Sequence, residues 1–184
     1  MNRIKRLIYV FAALAMLIWT CPPKAANTMS PAVAPTALGA TVLTPGSGVQ
    51  SAVQARASFV DPIDIKFKVK AGFEDVIHVP DARENVVQQI IIAPGGHTGW
   101  HSHPGPVVVL IKSGSMSLYS ADDSSCAGRI YTAGQAFIDS GQGHVHIARN
   151  ESSTQSLELW AVYFDVPPGG AFRIDAPAPG NCPF

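Results

Sequence analysis

The stretch Gly95-Gly96-His97-Thr98-Gly99-Trp100-His101-Ser102-His103-Pro104-Gly105-Pro106 decides the fold of this chain. It holds three of the six histidines within seven residues. His101 and His103 are two residues apart, so both rings leave the same face of an extended strand. The segment Gly143-His144-Val145-His146 repeats this His-x-His spacing on a second strand-like stretch. Imidazoles brought together inside a β-structure are the donors of a small metal centre, so the pattern predicts a metal-binding β-fold.

The chain around these histidines reads as a series of short strands. Residues 63–70 alternate strictly between apolar and polar side chains, which is typical of a half-buried strand. Gly- and Pro-containing turns separate the later apolar runs, and no helical pattern follows the first 26 residues. About ten strands at this spacing favour an all-β fold, an antiparallel jelly-roll barrel or sandwich. The further predicted strands are 76–79, 86–92, 101–103, 107–112, 116–120, 129–132, 136–138, 144–149 and 157–166.

Composition divides the chain into three parts. Residues 1–26 read as a signal peptide or N-terminal anchor, because three basic residues precede a thirteen-residue apolar run, Leu7 to Trp19. A membrane-spanning helix needs about 20 such residues, so we expect export, periplasmic or secreted, without stable membrane insertion after processing. An uncleaved anchor is the alternative. Residues 27–58 are rich in Ala, Pro and Ser and predict a linker. Residues 59–184 then form the β-domain with a Pro/Gly-rich tail.

The cysteines agree with an oxidising compartment. Of the three cysteines, Cys21 lies in the N-terminal segment, which leaves Cys126 and Cys182 as an even pair. We expect these two to form a disulfide, with two unpaired thiols as the alternative. The chain has no Cys-x-x-Cys motif, so neither a zinc ribbon nor a thioredoxin-type site is expected.

Charge and motifs exclude several functions. The chain has 13 basic and 13 acidic residues, and four of the basic ones lie in residues 1–26 with no acid. The remainder is therefore mildly acidic, at about −4, and has no basic footprint for nucleic acid. No Gly-x-Ser-x-Gly elbow or phosphate loop occurs, so hydrolase and kinase activities have no support.

Two segments resemble the motifs of the cupin family of small jelly-roll barrels. The first family motif runs from a Gly through His-x-His and a Glu to a second Gly. Here Gly95, His101, His103 and Gly114 match its spacing, but Val107 stands in the place of the metal-binding Glu.

The second cupin motif ends in Pro-x-Gly, two residues, His, three residues and Asn. Here Gly143, His146 and Asn150 match that pattern, while Gly141 replaces the Pro. The opening Gly of the motif is matched by Gly134, one residue out of register. The resemblance covers about residues 63–166.

The resemblance implies metal ligands at His101, His103 and His146 around one divalent transition metal, Fe, Mn, Ni, Cu or Zn. It further implies a metal-dependent oxygenase or isomerase that acts on a small organic molecule. The alternative is a non-catalytic cupin that binds or senses a small ligand or metal outside the cytoplasm. Because Val107 supplies no donor, the site would be three-His rather than three-His-one-Glu.

Other residues around the motifs have less certain roles. His144 lies two residues before His146 and would serve as an additional ligand or as an acid/base, or else would point to solvent. Val107, Val109 and Ile111 alternate in register and are expected to line the ligand chamber, which favours an apolar ligand. The lysine-bearing strand at 63–70 looks like a sheet edge, which is compatible with a homodimer.

Overall fold

The computed structural model describes residues 42–70 and 74–184. Within these ranges all regular structure is β-strand, and no helix there is long and apolar enough to cross a membrane. The predicted signal segment at 1–26 lies outside the described residues. The twelve strands are β1 Ser47–Ser58, β2 Ile65–Lys70, β3 Glu74–Val79, β4 Glu84–His97, β5 His101–Ser102, β6 Val107–Ser113, β7 Ser115–Ser120, β8 Arg129–Thr132, β9 Ala136–Asp139, β10 His146–Arg149, β11 Leu157–Val166 and β12 Ile174–Asp175.

Ten of the strands form one antiparallel sheet that curls into a nearly closed barrel. Its main order is β12-β5-β10-β4-β11-β6-β9, with β1 beside β4, β7 beside β10 and β8 beside β7. The remaining two, β2 and β3, pair only with each other. The predicted all-β antiparallel fold is confirmed.

The barrel interior is filled by alternate residues of β4, β6 and β11. In β6, for example, Val107, Val109 and Ile111 are buried, while Leu110 between them is exposed. The alternation arises because successive side chains of a strand leave opposite faces, and only one face meets the core. Burying a side chain of this size contributes about 1.5–3 kcal/mol, so this layer stabilises the strands that carry the histidines. The other core residues are Val86, Ile90, Ile92, Met116, Tyr131, Ala148, Leu157, Leu159, Ala161, Tyr163 and Val166.

The linker predicted at 27–58 is wrong for its second half. Residues 47–58 form β1, which pairs with β4 from Ser47 opposite His97 to Ser58 opposite Glu84. Every residue of β1 is exposed, so neither face is required to be apolar and the strand leaves no alternating pattern. Its backbone ladder and Arg56, which bonds Glu84 and the carbonyl of Pro167, attach it to the barrel. Residues 27–41 lie outside the described residues.

The C-terminal tail is part of the domain rather than an appendage. β12 pairs with β5, placing Asp175 opposite His101. The predicted disulfide is present between Cys126 and Cys182, with their Cα atoms 5.3 Å apart. Beside it, the amide nitrogen of Asn181 donates to the carbonyls of residues 120, 121 and 123. The disulfide and the Asn181 bonds hold the tail against residues 120–126, and β12 holds it against β5, the strand that begins at His101.

Candidate metal centre

The three predicted ligands meet inside the barrel. His101 begins β5, His103 follows that strand, and His146 begins β10 directly opposite His101. All three side chains are buried. The ring centroids are 4.5 Å apart for His101 and His146, 4.9 Å for His101 and His103, and 5.2 Å for His103 and His146. One nitrogen of each ring lies within 4.8 Å of the others, a separation that allows a shared ion.

Backbone carbonyls fix the orientation of two of the rings. Nδ1 of His101 lies 2.9 Å from the carbonyl of Gly99, and Nδ1 of His103 lies 2.7 Å from the carbonyl of Phe172. A carbonyl only accepts, so Nδ1 carries the proton and Nε2 keeps its lone pair. Histidines that ligate metals almost always donate their second nitrogen in this way. The donor set therefore fits a transition metal.

His146 has a carboxylate near its Nδ1 instead of a bonded carbonyl. Its Nδ1 is buried and makes no hydrogen bond of ordinary geometry with a described residue. The nearest acid is Asp139, whose Oδ1 lies 3.5 Å from that nitrogen. A carboxylate behind a ligating imidazole raises its basicity, which strengthens the bond to a metal.

The environment keeps the three imidazoles neutral. Burial is the main cause that lowers the pKa of His101 and His103, and it lowers the pKa of His146 to about 4. The positive charges that neighbouring imidazoles would carry lower the pKa of His101 and His146 further. Neutral imidazole is the form that binds metal, so the site is ready for an ion at neutral pH.

Asp139 is the site residue that the sequence reasoning missed. It ends β9 directly opposite Val107, and only 5% of it is exposed. Burial acts to raise the pKa of its carboxyl, but the hydrogen bond from His144 and the nearby imidazoles outweigh burial and lower the pKa. A negative charge therefore lies behind His146, although Val107 provides none at the ligand position. The only sequence signal was an acid at the end of an apolar strand.

His144 lies beside the three-histidine site. It precedes β10, and its ring centroid is 5.7 Å from that of His146. Its Nδ1 lies 2.8 Å from Oδ1 of Asp139, and its Nε2 lies 2.8 Å from Oγ of Ser120. The Asp139 hydrogen bond raises the pKa of His144. Asp139, His144 and His146 form a second set of close donor atoms, which shares His146 with the three-His set.

Gly141, which replaces the motif Pro, is required by the backbone of this turn. Its φ is +59°, a region that Pro cannot adopt. A side chain at this position would also overlap the backbone of Gly105, which lies between the two histidine segments. The replacement of the motif Pro by Gly141 is thus explained by the close packing of this turn against Gly105.

Two cavities adjoin the histidines. The inner cavity, of about 40 Å³, is lined by all three histidines together with Val107 and Val109. Ile111 is packed in the core and does not line it. A volume of this size has room for a few water-sized groups beside the histidines. Two of the three residues expected to line the ligand chamber, Val107 and Val109, thus line this cavity.

The outer cavity, of about 260 Å³, also reaches His101, and its wall combines apolar residues such as Val49 with polar ones such as Gln88 and Arg173. Thr98, His101 and Tyr163 line both cavities, so the outer one leads to the histidines.

Two further histidines have local roles. Nδ1 of His97 accepts a hydrogen bond from the amide of Gly99, 3.1 Å away, and so supports the turn before β5. His78 is exposed on β3, with its Nε2 3.7 Å from a carboxylate oxygen of Asp64.

Comparisons with known proteins find partial structural similarity. No protein-family model matches the chain, and no curated protein matches it. It is similar to a polyketide cyclase, RemF, from Streptomyces resistomycificus, with 22% identity, 42% of this chain and 52% of that chain covered, and a TM-score of 0.38. It is also similar to a cupin-like protein from Thermotoga maritima, with 22% identity, 42% of this chain and 55% of that chain covered, and a TM-score of 0.38. A cupin-2 domain from Rhodospirillum rubrum is 13% identical, with 67% of this chain and 63% of that chain covered, and a TM-score of 0.45.

The matched part of this chain spans about half the length of the cyclase and of the Thermotoga protein. An antiparallel, nearly closed barrel places the two His-containing motifs on paired strands, with their histidines inside. The amide of Asn150, which ends the second motif, donates to the carbonyl of Gly96 at the start of the first, 2.9 Å away. The described chain has the fold of the cupin superfamily.

Proposed function

We propose that this protein binds one divalent transition metal through His101, His103 and His146 and catalyses oxygenation or isomerisation of a small organic molecule. The observation that carries the proposal is the meeting of three buried imidazoles inside the barrel. Nδ1 of His101 and of His103 is each bonded to a backbone carbonyl, which leaves Nε2 of both rings free to bind an ion. Three nitrogen ligands leave open positions for water or substrate. When bound, the ion would supply Lewis-acid or redox chemistry at those positions.

The residues around the ligands have separate tasks in this proposal. The apolar wall with Val107 and Val109 limits water beside the ligands, since the inner cavity has room for only small groups. Asp139 positions His146 from behind. The His144 imidazole, held between Asp139 and Ser120, is available to hold a proton close to the site without occupying a ligand position.

A non-catalytic cupin that captures a metal or small ligand is the second candidate. Val107 favours it, because a site that lacks the family carboxylate carries one more positive charge and binds hard ions such as Mn²⁺ less well. The open outer cavity favours the enzyme, because a substrate can reach the side of His101.

One experiment separates the two candidates. The metal content of untagged protein is measured, and O₂ consumption and substrate loss are then followed with a panel of small phenols and carboxylic acids. Stoichiometric metal with turnover supports the enzyme, whereas stoichiometric metal without turnover supports the binding protein. If the protein takes up no metal and the His101→Ala and His146→Ala variants behave like wild type, both candidates fail.

We further propose that the protein works outside the cytoplasm. The disulfide between Cys126 and Cys182 supports this, because such bonds persist in oxidising compartments. Fractionation of expressing cells, with mass spectrometry of the mature N-terminus, tests it. Recovery of the full-length chain in the cytoplasm with free thiols would contradict it, and recovery in the membrane fraction would support the uncleaved anchor.

A further inference from the structure

The outer cavity has a wall made by three separated parts of the chain. The segment before and within β1 contributes Pro45, Gly46, Val49 and Ser51, β4 contributes Gln88, and the tail contributes Arg173 and Asp175. The cavity ends on His101 and Tyr163, which also line the inner cavity. A ligand in the outer cavity would therefore have one end at the histidines and the other among tail residues.

Gln88 presents a hydrogen-bond donor to this cavity. It is a polar residue in the middle of β4 and is only 9% exposed. Its Oε1 accepts a hydrogen bond from the Tyr163 hydroxyl, 2.8 Å away. That bond fixes the amide so that the NH₂ group is on the opposite side, and no described residue accepts from it. Because Gln88 lines the cavity, this NH₂ group is open to an acceptor from water or a ligand.

Arg173 adds a positive charge to the same wall. Its Nη2 donates to the carbonyl of Thr98, 2.7 Å away, and its Nε donates to Oδ1 of Asp175, 2.8 Å away. These bonds hold the guanidinium in place at the cavity. They also leave Nη1 without an acceptor among the described residues. Asp175 lines the cavity too, but its contact is with Nε, at the other end of the guanidinium.

We propose that the outer cavity binds a small carboxylate, with its anionic oxygens on Arg173 and Gln88 and its remaining functional group toward His101. This inference rests on the proposed function, because it takes the metal site at His101 from it. It adds the class of substrate or ligand that the site would receive. The wall offers one donor for each oxygen of a carboxylate. Nη1 of Arg173 can donate to one oxygen, and the NH₂ group of Gln88 can donate to the other. A metal held by three neutral imidazoles would add positive charge at the far end, and this also favours an anion.

The volume limits the size of that anion. At about 260 Å³ the cavity is below the range of about 300–1,000 Å³ that drug-sized ligands occupy. A single ring or a short chain with one carboxylate fits, and a larger polycyclic acid does not.

Benzoate and its neutral isostere benzamide are suitable probes. Their binding is measured by isothermal titration to wild type and to the variants Arg173→Gln and Gln88→Glu. We expect benzoate to bind wild type about 10- to 100-fold more tightly than benzamide, and each variant to lose about that factor for benzoate alone. Gln88→Glu keeps the acceptor for Tyr163 but replaces the donor with a negative charge, so it tests the cavity without touching the tail. Asp175→Asn is the matched control, because it removes the partner of Arg173 yet keeps the guanidinium, and benzoate binding should persist or strengthen.

The titrations are run on metal-loaded and on chelator-treated protein. Loss of benzoate binding in both variants, with Asp175→Asn unaffected, supports the carboxylate site. Equal affinity for benzoate and benzamide, no loss in either variant, or no heat at about 10 mM benzoate would overturn it. If the protein takes up no metal while Arg173-dependent binding remains, the metal function fails and the carboxylate site stands. If metal binds but the variants change nothing, the carboxylate site alone fails.

Discussion

Removal of the disulfide should weaken both the fold and the histidine site. The bond joins residues 56 positions apart in the sequence. In the chain-entropy description, closing a loop of this length stabilises the folded state by about 4 kcal/mol. The double variant Cys126→Ser/Cys182→Ser should lose a stability of that order. The loss reaches the site because the tail supplies the carbonyl of Phe172, which orients His103, and β12, which pairs with the strand of His101.

Urea unfolding of the chelator-treated protein, followed by circular dichroism, measures this change. The midpoint should fall in the double variant, and dithiothreitol should bring wild type to the same midpoint while leaving the variant unchanged. A competition titration with a chromogenic chelator should show that the variant binds Zn²⁺ at least about tenfold more weakly, because loss of a contact that orients a ligand histidine lowers metal affinity by this order. A stability change under about 1 kcal/mol with unaltered Zn²⁺ affinity would refute the reasoning, since the remaining tail contacts would then suffice.

Three other changes test different parts of the account. Asp139→Asn should lower Zn²⁺ affinity about 10- to 100-fold in the same competition titration, because the negative charge behind His146 is lost; an unchanged affinity would mean that this carboxylate serves the fold alone. Asn150, 1% exposed, donates to the carbonyls of residues 92, 93 and 155, so Asn150→Ala should destabilise by roughly 3 kcal/mol in urea unfolding. Metal-free protein should lose stability as the pH falls from about 6.5 toward 4, because the folded-state pKa of His146, about 4, lies below its unfolded value. That loss is on the order of 3 kcal/mol, partly offset by His144, whose raised pKa makes its protonation favourable to folding. In His146→Asn the slope of stability against pH should be shallower, and an unchanged slope would argue against a buried neutral His146.

The strands with one buried face could be predicted from the sequence. In β6 and β11 the core takes every second residue, but most of the side chains between them are apolar as well, so each strand shows in the sequence as an apolar run bounded by turns. The ligand histidines could also be predicted from the sequence. The spacing of His101 and His103 places both side chains on one strand face, and the lengths of the two motifs match those of cupin barrels. Each of these features depends on residues that are close together in the sequence, so one sequence is enough to predict it.

The parts that could not be predicted depend on contacts between distant residues. β1 is held by its ladder to β4 with both faces exposed, so its composition resembles that of a linker. Asp139 comes near His146 only because β9 pairs with β6 across the barrel. Arg173 reaches the outer cavity because a disulfide and a two-residue strand fold the tail back. None of these pairings leaves a periodic signal in the chain.

The central claim is that His101, His103 and His146 together hold one metal ion. Anomalous diffraction from crystals grown with Zn²⁺ tests it most directly. We expect one strong peak within about 2.0–2.1 Å of a nitrogen of each of the three imidazoles, and its loss in His101→Ala. A peak among Asp139, His144 and His146 instead, or no ordered ion within the barrel, would contradict it.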